Sequence, residues 1–243
     1  MKYLYLSVSE IGLKRFDNED SIGVMEIHDG LLAIVCDGLG GNKAGEVASR
    51  LAIETVFNQF YDNTEIDWVE KIRLAIIEAN KSVYEQSTAN SELRGMATTV
   101  EVLFLKDDTA YWGHVGDSRI YQLKNNKLKQ MTKDHSLVQK LVDEGYLTIK
   151  EAENHPNKNI IMRALGEQLN IEIDLSKQKI SSKDHTKFFL CTDGVSAVIN
   201  DEELQDILRN TDLELISKTL TQLIEERGAP DNFSFIIITL SNK

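Results

Sequence analysis

Cysteine and proline are scarce in this 243-residue chain, which has two residues of each. Cys36 and Cys191 are too few and too isolated for a disulfide framework or a Cys-based zinc site. Each ends an apolar run, so we expect both to be small buried side chains. The two prolines are far apart, and no repeat or Gly/Ser-rich linker marks a boundary. The sequence therefore predicts one domain over residues 1–243.

Long apolar runs and an excess of basic residues are absent as well. No run approaches the roughly 20 residues of a transmembrane helix, and the chain starts with alternating residues instead of a signal-peptide apolar block. The net charge of −12 argues against nucleic-acid and anionic-membrane partners, which bind cationic faces. We expect a cytoplasmic protein without such partners. No surplus apolar helix face indicates a stable dimer, so we also expect a monomer.

The hydrophobic pattern predicts strands in runs and helices in runs. Three strands precede residue 40, and apolar residues at three-four spacing predict two helices between residues 44 and 85. Short strands follow over 98–105, 109–115, 119–123 and 128–131, and then a helix over 136–144. Thr148 with Glu151 is a candidate capping box for a short helix. Two more strands over 171–180 and 187–191, a helix pair over 202–209 and 213–226, and a last apolar strand over 233–240 complete the order. Because regular βαβ alternation is missing, this order favours antiparallel sheets with helices packed outside them, an α+β class. Residues 145–165 lack strong periodicity and are interpreted as an excursion from the core.

Acidic residues stand where predicted strands leave the hydrophobic layer. Alone, each could be an ordinary turn residue. Together they lie on the kind of loops that build active sites on a rigid scaffold. Glu19 and Asp20 form one acidic locus, and four aspartates form the others: Asp37, Asp117, Asp193 and Asp231.

Convergence of these carboxylates would require neutralisation. Two ionised carboxylates about 5 Å apart repel by roughly 3 kcal/mol at an effective dielectric of about 20, so protons or divalent cations must compensate them. The candidate ligands are all oxygens, without clustered His or thiolate, which suits Mg²⁺ or Mn²⁺ and disfavours zinc. Gly38 after Asp37 lets a backbone carbonyl approach such a cation closely.

One cation, Arg15, precedes the first acidic locus. A guanidinium offers a bidentate fork for phosphate oxygens, and an acidic metal cluster with one positioned Arg is what metal-assisted phosphate-ester hydrolysis needs. The alternative is that Arg15 merely pairs with Asp17 or Glu19 on the surface. The glycine-rich turn at residues 38–43 is not a dinucleotide fingerprint, because Lys43 replaces its third glycine.

Seven motifs, in order, resemble those of the metal-dependent type 2C serine/threonine protein phosphatases, and look like the small single-domain bacterial members. They are R-F-D-N-E-D-S, V-C-D-G-L-G-G-N-K-A-G-E-V-A-S, G-M-A-T-T-V, G-H-V-G-D-S-R-I-Y, T-K-D-H-S-L, C-T-D-G-V and P-D-N-F-S. The resemblance extends from about Leu6 to Leu240. It implies a four-layer α-β-β-α sandwich of two antiparallel β-sheets flanked by helix pairs.

The resemblance also implies a binding role for each acidic residue. Asp37 would bridge two Mn²⁺ or Mg²⁺ ions, and the Gly38 carbonyl would bind the second of them. The remaining assignments are Asp193 and Asp231 on the first ion, Glu19 and Asp20 mostly through metal-bound waters, and Asp117 with Asp193 on a third, weaker ion.

The implied reaction is hydrolysis of phosphoserine and phosphothreonine in proteins, including a bacterial Ser/Thr kinase and its substrates. Arg15 would bind the phosphate, and a metal-bridging hydroxide would attack phosphorus in line without a phosphoenzyme. Residues 145–165, hereafter the flap, would be mobile and contribute to substrate choice.

One position departs from many eukaryotic relatives. Leu39 stands where they have a His that is proposed as the general acid, and Asn42 cannot donate a proton readily. We therefore predict that water, bound to metal, protonates the leaving alkoxide. Two other functions compete with a protein phosphatase: a non-catalytic binding relative, which the retained metal aspartates disfavour, and a metal-dependent hydrolase of small phosphate esters.

Overall fold

Eleven strands and seven α-helices are present in the part of the chain that the computed structural model describes, which comprises residues 2–40, 44–61, 67–181, 184 and 186–241. Within the glycine-rich turn, Gly41, Asn42 and Lys43 lie outside these residues. The strands are β1 (Lys2–Glu10), β2 (Asp20–Ile27), β3 (Gly30–Leu39), β4 (Ala97–Thr98), β5 (Val100–Lys106), β6 (Thr109–Val115), β7 (Arg119–Lys124), β8 (Lys127–Gln130), β9 (Asp174–Lys179), β10 (Lys187–Cys191) and β11 (Phe233–Ser241). The helices are α1 (Ala44–Tyr61), α2 (Trp68–Ala89), α3 (Leu137–Asp143), α4 (Ile149–Glu153), α5 (Asp193–Ser196), α6 (Asp201–Leu208) and α7 (Leu213–Glu226).

The strands form two antiparallel sheets. One has the order β1-β11-β10-β7-β8, and the other has the order β2-β3-β5-β6-β9, with β4 paired to the end of β3. Every strand pair in both sheets is antiparallel. The predicted runs of strands thus correspond to two sheets without parallel crossovers.

Side-chain alternation along the central strands produces three apolar layers. In β3, Leu31, Ala33 and Val35 face the other sheet, whereas the alternate residues pack against α1 and α2. In β11, Ile236 and Ile238 face the same central layer, and their neighbours pack against α6 and α7. Strands buried on both faces explain the nearly continuous apolar sequences. The predicted four-layer α-β-β-α sandwich is confirmed.

Helix ends follow the expected capping chemistry. The predicted capping box at the start of α4 is present: the Thr148 hydroxyl accepts from the Glu151 N–H, and the Glu151 carboxylate accepts from the Thr148 N–H at 2.8 Å. Asn200 caps α6 in the same way, together with Glu203. Among the described residues, no helix is long and apolar enough to cross a membrane.

Three local features differ from the sequence prediction. The strand expected over 98–105 is interrupted at Thr99, whose hydroxyl accepts from the Asp37 N–H at 2.9 Å. The strand expected over 171–180 is shorter, since β9 begins at Asp174. The helix α5, four residues long, was not predicted because it is too short to show periodicity. The single domain and the flap boundaries stay predictions.

Candidate metal and phosphate site

The first acidic locus and Asp37 lie on neighbouring strands at one end of a sheet. Asp20, the first residue of β2, is the cross-strand partner of Asp37 near the end of β3. The Gly38 N–H donates to the Glu19 carbonyl at 3.1 Å, which holds the two chain segments together. Antiparallel pairing therefore brings the first acidic locus beside Asp37, as the strand-end argument requires.

Asp193 and Asp231 lie at the corresponding end of the other sheet. Asp193 follows β10 and Asp231 precedes β11, and these strands are antiparallel neighbours. The Thr192 N–H donates to the Ser234 carbonyl at 3.0 Å, which extends the pairing beyond the strands. A Cβ at Gly194 would lie 1.9 Å from the Asn232 carbonyl oxygen. Glycine after Asp193 thus lets the two loops approach closely.

Asp117 lies in the turn between β6 and β7. Its side chain is buried, and Oδ1 has no hydrogen-bond partner. Burial, followed by the nearby Asp193 carboxylate, raises the pKa of Asp117 to about 7. Asp117 therefore belongs to the same electrostatic cluster as Asp193.

The predicted carboxylates lie close enough together to raise one another's pKa values. Burial raises the pKa of Asp37 well above its usual range, although its side chain retains partial contact with solvent. Four carboxylates raise it further: Asp20, Asp193, Asp117 and Asp231. Burial also raises the pKa of Asp20 to about 7, although the Thr192 hydroxyl donates to its carboxylate at 2.8 Å.

Two contacts pair members of this cluster. The Asp37 and Asp193 carboxyl groups lie close enough to interact directly. Asp231 accepts from Arg15 Nη2 at 2.7 Å. Within the described residues, no group of three or more His, Cys, Asp or Glu side chains is already arranged so that it could hold a metal ion.

The oxygen atoms nevertheless suit a hard divalent cation. Glu19 Oε1 and Asp117 Oδ1 are buried without a hydrogen-bond partner, and an unpartnered buried acceptor is costly. Burial also raises the pKa of Glu19, although the nearby Arg15 guanidinium offsets this in part. A cation bound by oxygen ligands would relieve both the unpartnered acceptors and the repulsion.

Arg15 pairs with Asp231, and not with Asp17 or Glu19 as the alternative interpretation of the sequence expected. Its hydrogen bond to Asp231 joins it to the acidic cluster, and its side chain remains half exposed. Because a guanidinium has five N–H donors, this contact leaves donors for another anion. Arg15 is therefore placed where a phosphate could reach both it and the carboxylates.

Asn232 is an organising residue that the sequence argument did not identify. Its Nδ2 donates to the carbonyls of Ile11 and Asp17 at 2.8 and 3.0 Å, and its Oδ1 accepts from the Glu19 N–H at 2.9 Å. It therefore fixes the loop that carries Arg15 against the Asp231 loop. The sequence feature that could have pointed to this role is the position of Asn232 directly after Asp231 in P-D-N-F.

The flap is attached to the Asp37 strand through β4. Leu165 and Thr98 exchange two backbone hydrogen bonds, at 2.8 and 3.1 Å. The Thr98 hydroxyl donates to the Asp37 carbonyl at 2.9 Å. One end of the flap is thus a single residue away from the backbone of the central aspartate.

Comparisons with known proteins agree with this geometry. The model of the family Protein phosphatase 2C matches residues 15–230. The chain is 34% identical over 233 residues to the serine/threonine phosphatase stp of Listeria welshimeri, which covers 93% of this chain and 92% of that protein. It superposes on the Mycobacterium tuberculosis serine/threonine phosphatase PstP/Ppp with a TM-score of 0.91 and 33% identity, over 99% of both chains.

A second solved structure adds a ligand to the comparison. The catalytic domain of the phosphatase PstP, in complex with two manganese ions, matches with a TM-score of 0.88 and 32% identity over 99% of both chains. The family model covers most of the sequence, and the strand ends converge in one acidic site. This chain belongs to the protein phosphatase 2C family.

Proposed function

We propose that this protein is a metal-dependent phosphatase that hydrolyses phosphoserine and phosphothreonine in proteins. The observation that carries the proposal is the convergence of four carboxylates on Asp37, together with the contact between Arg15 and Asp231. Such a cluster can hold divalent cations beside a phosphate-binding guanidinium. The naming of its relatives as serine/threonine phosphatases supports the same reaction.

The proposed cations are Mn²⁺ or Mg²⁺, two in the core and a third that is weaker. The manganese-bound relative supports this choice of ion. When bound, such ions lower the pKa of water and neutralise phosphate charge. The proposed protein ligands are Asp37, the Gly38 carbonyl, Asp193 and Asp231 for the core ions, Asp117 with Asp193 for the third, and Glu19 and Asp20 through water.

Arg15 and Asp37 are the proposed catalytic residues. Arg15 would bind and orient the substrate phosphate with the donors that Asp231 does not use. Leu39 has no proton to give, so the leaving alkoxide takes its proton from water. The chain thus positions phosphate and cations, and supplies no side-chain acid at residue 39.

Exposed groups beside the site support a protein substrate over a small ester. Phe16, next to Arg15, is 97% exposed, and Leu13 on the same loop is 62% exposed. The loop is held by Asn232 and by the Leu13 N–H, which donates to the Ala229 carbonyl at 3.0 Å. A fixed, apolar rim offers contacts to residues that flank a phosphorylated side chain.

We also propose a cytoplasmic monomer that opposes a Ser/Thr kinase.

The test measures phosphate release from a phosphothreonine peptide, p-nitrophenyl phosphate and a panel of small phosphorylated metabolites. We expect Mn²⁺-dependent release from the peptide, its loss in EDTA, and no inhibition by okadaic acid. Asp37→Asn should abolish release, and the exposed Asp17→Asn is the matched control. A non-catalytic relative would release nothing, and a small-ester hydrolase would prefer the metabolites over the peptide.

A further inference from the structure

His135, in the motif T-K-D-H-S-L, is hydrogen-bonded to the backbone of Gly116, the residue directly before Asp117. Its N–H donates to the Gly116 carbonyl at 2.7 Å, and its ring Nδ1 accepts from the Gly116 N–H at 3.1 Å. The His135 side chain is 7% exposed. Both hydrogen-bonding groups of the Gly116 backbone are therefore satisfied by a single buried residue.

The other edge of the same ring faces the flap stem, defined as residues 160–163. The His135 carbonyl accepts from the Met162 N–H at 2.7 Å. His135 Nε2 lies 3.1 Å from Arg163 Nη1 and 3.5 Å from Asp174 Oδ1. Arg163 also contacts Asp174, at 3.2 Å. One residue thus connects the flap stem to the turn that carries Asp117.

Donor and acceptor chemistry assigns the tautomer of this ring. A backbone N–H can only donate, so Nδ1 must present its lone pair to Gly116. Nε2 then carries the proton of the neutral imidazole, and Arg163, which also only donates, cannot accept it. The Asp174 carboxylate lies 3.5 Å from Nε2 and also accepts from Arg163 Nη1 at 3.2 Å. Burial, His114 and Arg163 lower the pKa of His135 to about 4, in agreement with a single ring proton.

Gly116 depends on these two hydrogen bonds because its backbone is conformationally free. Its φ is +120°, and a Cβ would lie 2.5 Å from Thr99 Cγ2, so glycine is required and adds little stiffness of its own. The ring of His114 lies 4.3 Å from that of His135 and covers it from one side. Without the His135 contacts, the turn would hold Asp117 less firmly.

We propose that His135 is a positioning residue that couples the flap stem to Asp117 and so strengthens cation binding there. Asp174 orients the imidazole, the imidazole fixes Gly116, and Gly116 sets the direction of Asp117. The proposal rests on the proposed function, in which Asp117 is a cation ligand. Groups that orient metal ligands from outside the coordination shell typically change metal affinity 10- to 100-fold when they are mutated.

The test is calorimetric titration of Mn²⁺ into the metal-free protein, with Asp117→Ala as the reference that identifies the weak class of sites. We expect His135→Ala to weaken that class about tenfold and to leave the tighter sites nearly unchanged. His28→Ala is the control. His28 also holds a backbone group, the Phe60 carbonyl at 2.7 Å, but at the far end of β3, roughly 23 Å along the strand from Asp37.

Hydrogen exchange of the flap stem is the second readout. Two milder substitutions keep the proposal testable if His135→Ala does not fold. His135→Ala should speed exchange of the Met162 amide. Asp174→Asn, which does not touch Gly116, should weaken the same class of Mn²⁺ sites, and His135→Asn should restore part of the affinity by accepting from Gly116.

Each failure has a distinct meaning. Unchanged Mn²⁺ binding in folded His135→Ala or Asp174→Asn would overturn the coupling and leave the proposed function standing. Equal weakening of every site class would also overturn it. Absence of Mn²⁺ binding in the unmutated protein would instead contradict the proposed function.

Discussion

Asp37 and Asp193 are neighbouring acids in the same cluster. Burial and neighbouring carboxylates raise the pKa values of both, which disfavours two ionised carboxylates side by side. A divalent cation would neutralise both groups. The same two residues, as the proposed metal ligands, would therefore lower the stability of the metal-free fold.

Replacement of one acid should separate these two effects. We expect Asp193→Asn to abolish Mn²⁺-dependent phosphate release and to raise the unfolding free energy in EDTA at pH 7 by about 1 kcal/mol, because one buried charge is removed. Phosphopeptide assays and urea unfolding measure the two outcomes. An inactive variant that is less stable than the unmutated protein in EDTA would contradict the repulsion argument.

Leu39 leads to a prediction about the leaving group. Because water has to protonate the departing oxygen, rates should fall steeply as the pKa of the leaving phenol rises across a series of aryl phosphates. Single-turnover measurements keep the chemical step limiting. A flat dependence under those conditions would indicate that a side chain supplies the proton after all.

At the scale of elements, the ends of β3 and α1 meet through glycine. A Cβ at Gly38 would lie 2.2 Å from the Gly45 carbonyl oxygen and 2.5 Å from that of Glu19. These are backbone atoms, which cannot rotate away. Gly38 is thus required by the packing of the strand against the helix, in addition to the carbonyl approach that the sequence suggested.

Two glycine substitutions test this packing. Gly38→Ala should lower the unfolding free energy by about 3 kcal/mol, at the upper end for overpacking. Gly145→Ala is the comparison: nothing lies within 4 Å of its Cβ, and its φ of +77° alone is strained, which costs about 1 kcal/mol. Equal losses, measured by urea unfolding, would show that the close approach at Gly38 relaxes cheaply.

Strong periodicity explains which elements the sequence could predict. Apolar residues at three-four spacing revealed α1, α2 and α7, and alternating or fully apolar runs revealed the strands that cross the core. The break at Thr99 and the helix α5 were missed, because each depends on contacts with Asp37 or with the Asn232 loop rather than on a local pattern.

The candidate site was predictable only as a set of residue types. Acids at strand ends indicated a cluster, but the partner of Arg15 depends on antiparallel pairing between distant strands, so Asp231 could not be chosen over Asp17 beforehand. Asn232 and His135 act through backbone atoms of other loops. Such contacts leave no spacing rule in the sequence.

At the scale of the whole molecule, the cluster makes stability depend on pH. Asp20 and Asp117 have pKa values of about 7 in the folded protein, against an ordinary value of 3.8. Between these values the folded protein binds more protons than the unfolded chain, so the unfolding free energy falls as pH rises from about 4 to about 7. His135, with its pKa lowered to about 4 from 6.5, opposes this trend in part.

We expect the metal-free protein to lose about 1 to 3 kcal/mol of unfolding free energy between pH 5 and pH 7. Urea unfolding in EDTA at the two pH values measures the loss, and excess Mn²⁺ at pH 7 should reverse it, because the cation binds the ionised cluster. Stability that increases over this interval in EDTA would contradict the assignment of raised pKa values to these aspartates.

The central claim is that the converged carboxylates hold divalent cations, and counting the bound ions tests it most directly. Equilibrium dialysis against Mn²⁺ should give at least two tightly bound ions per chain, and Asp37→Asn should lose both, since Asp37 is the proposed ligand of both. Asp17→Asn should bind as the unmutated protein does. Fewer than two bound ions, or full binding by Asp37→Asn, would contradict the claim.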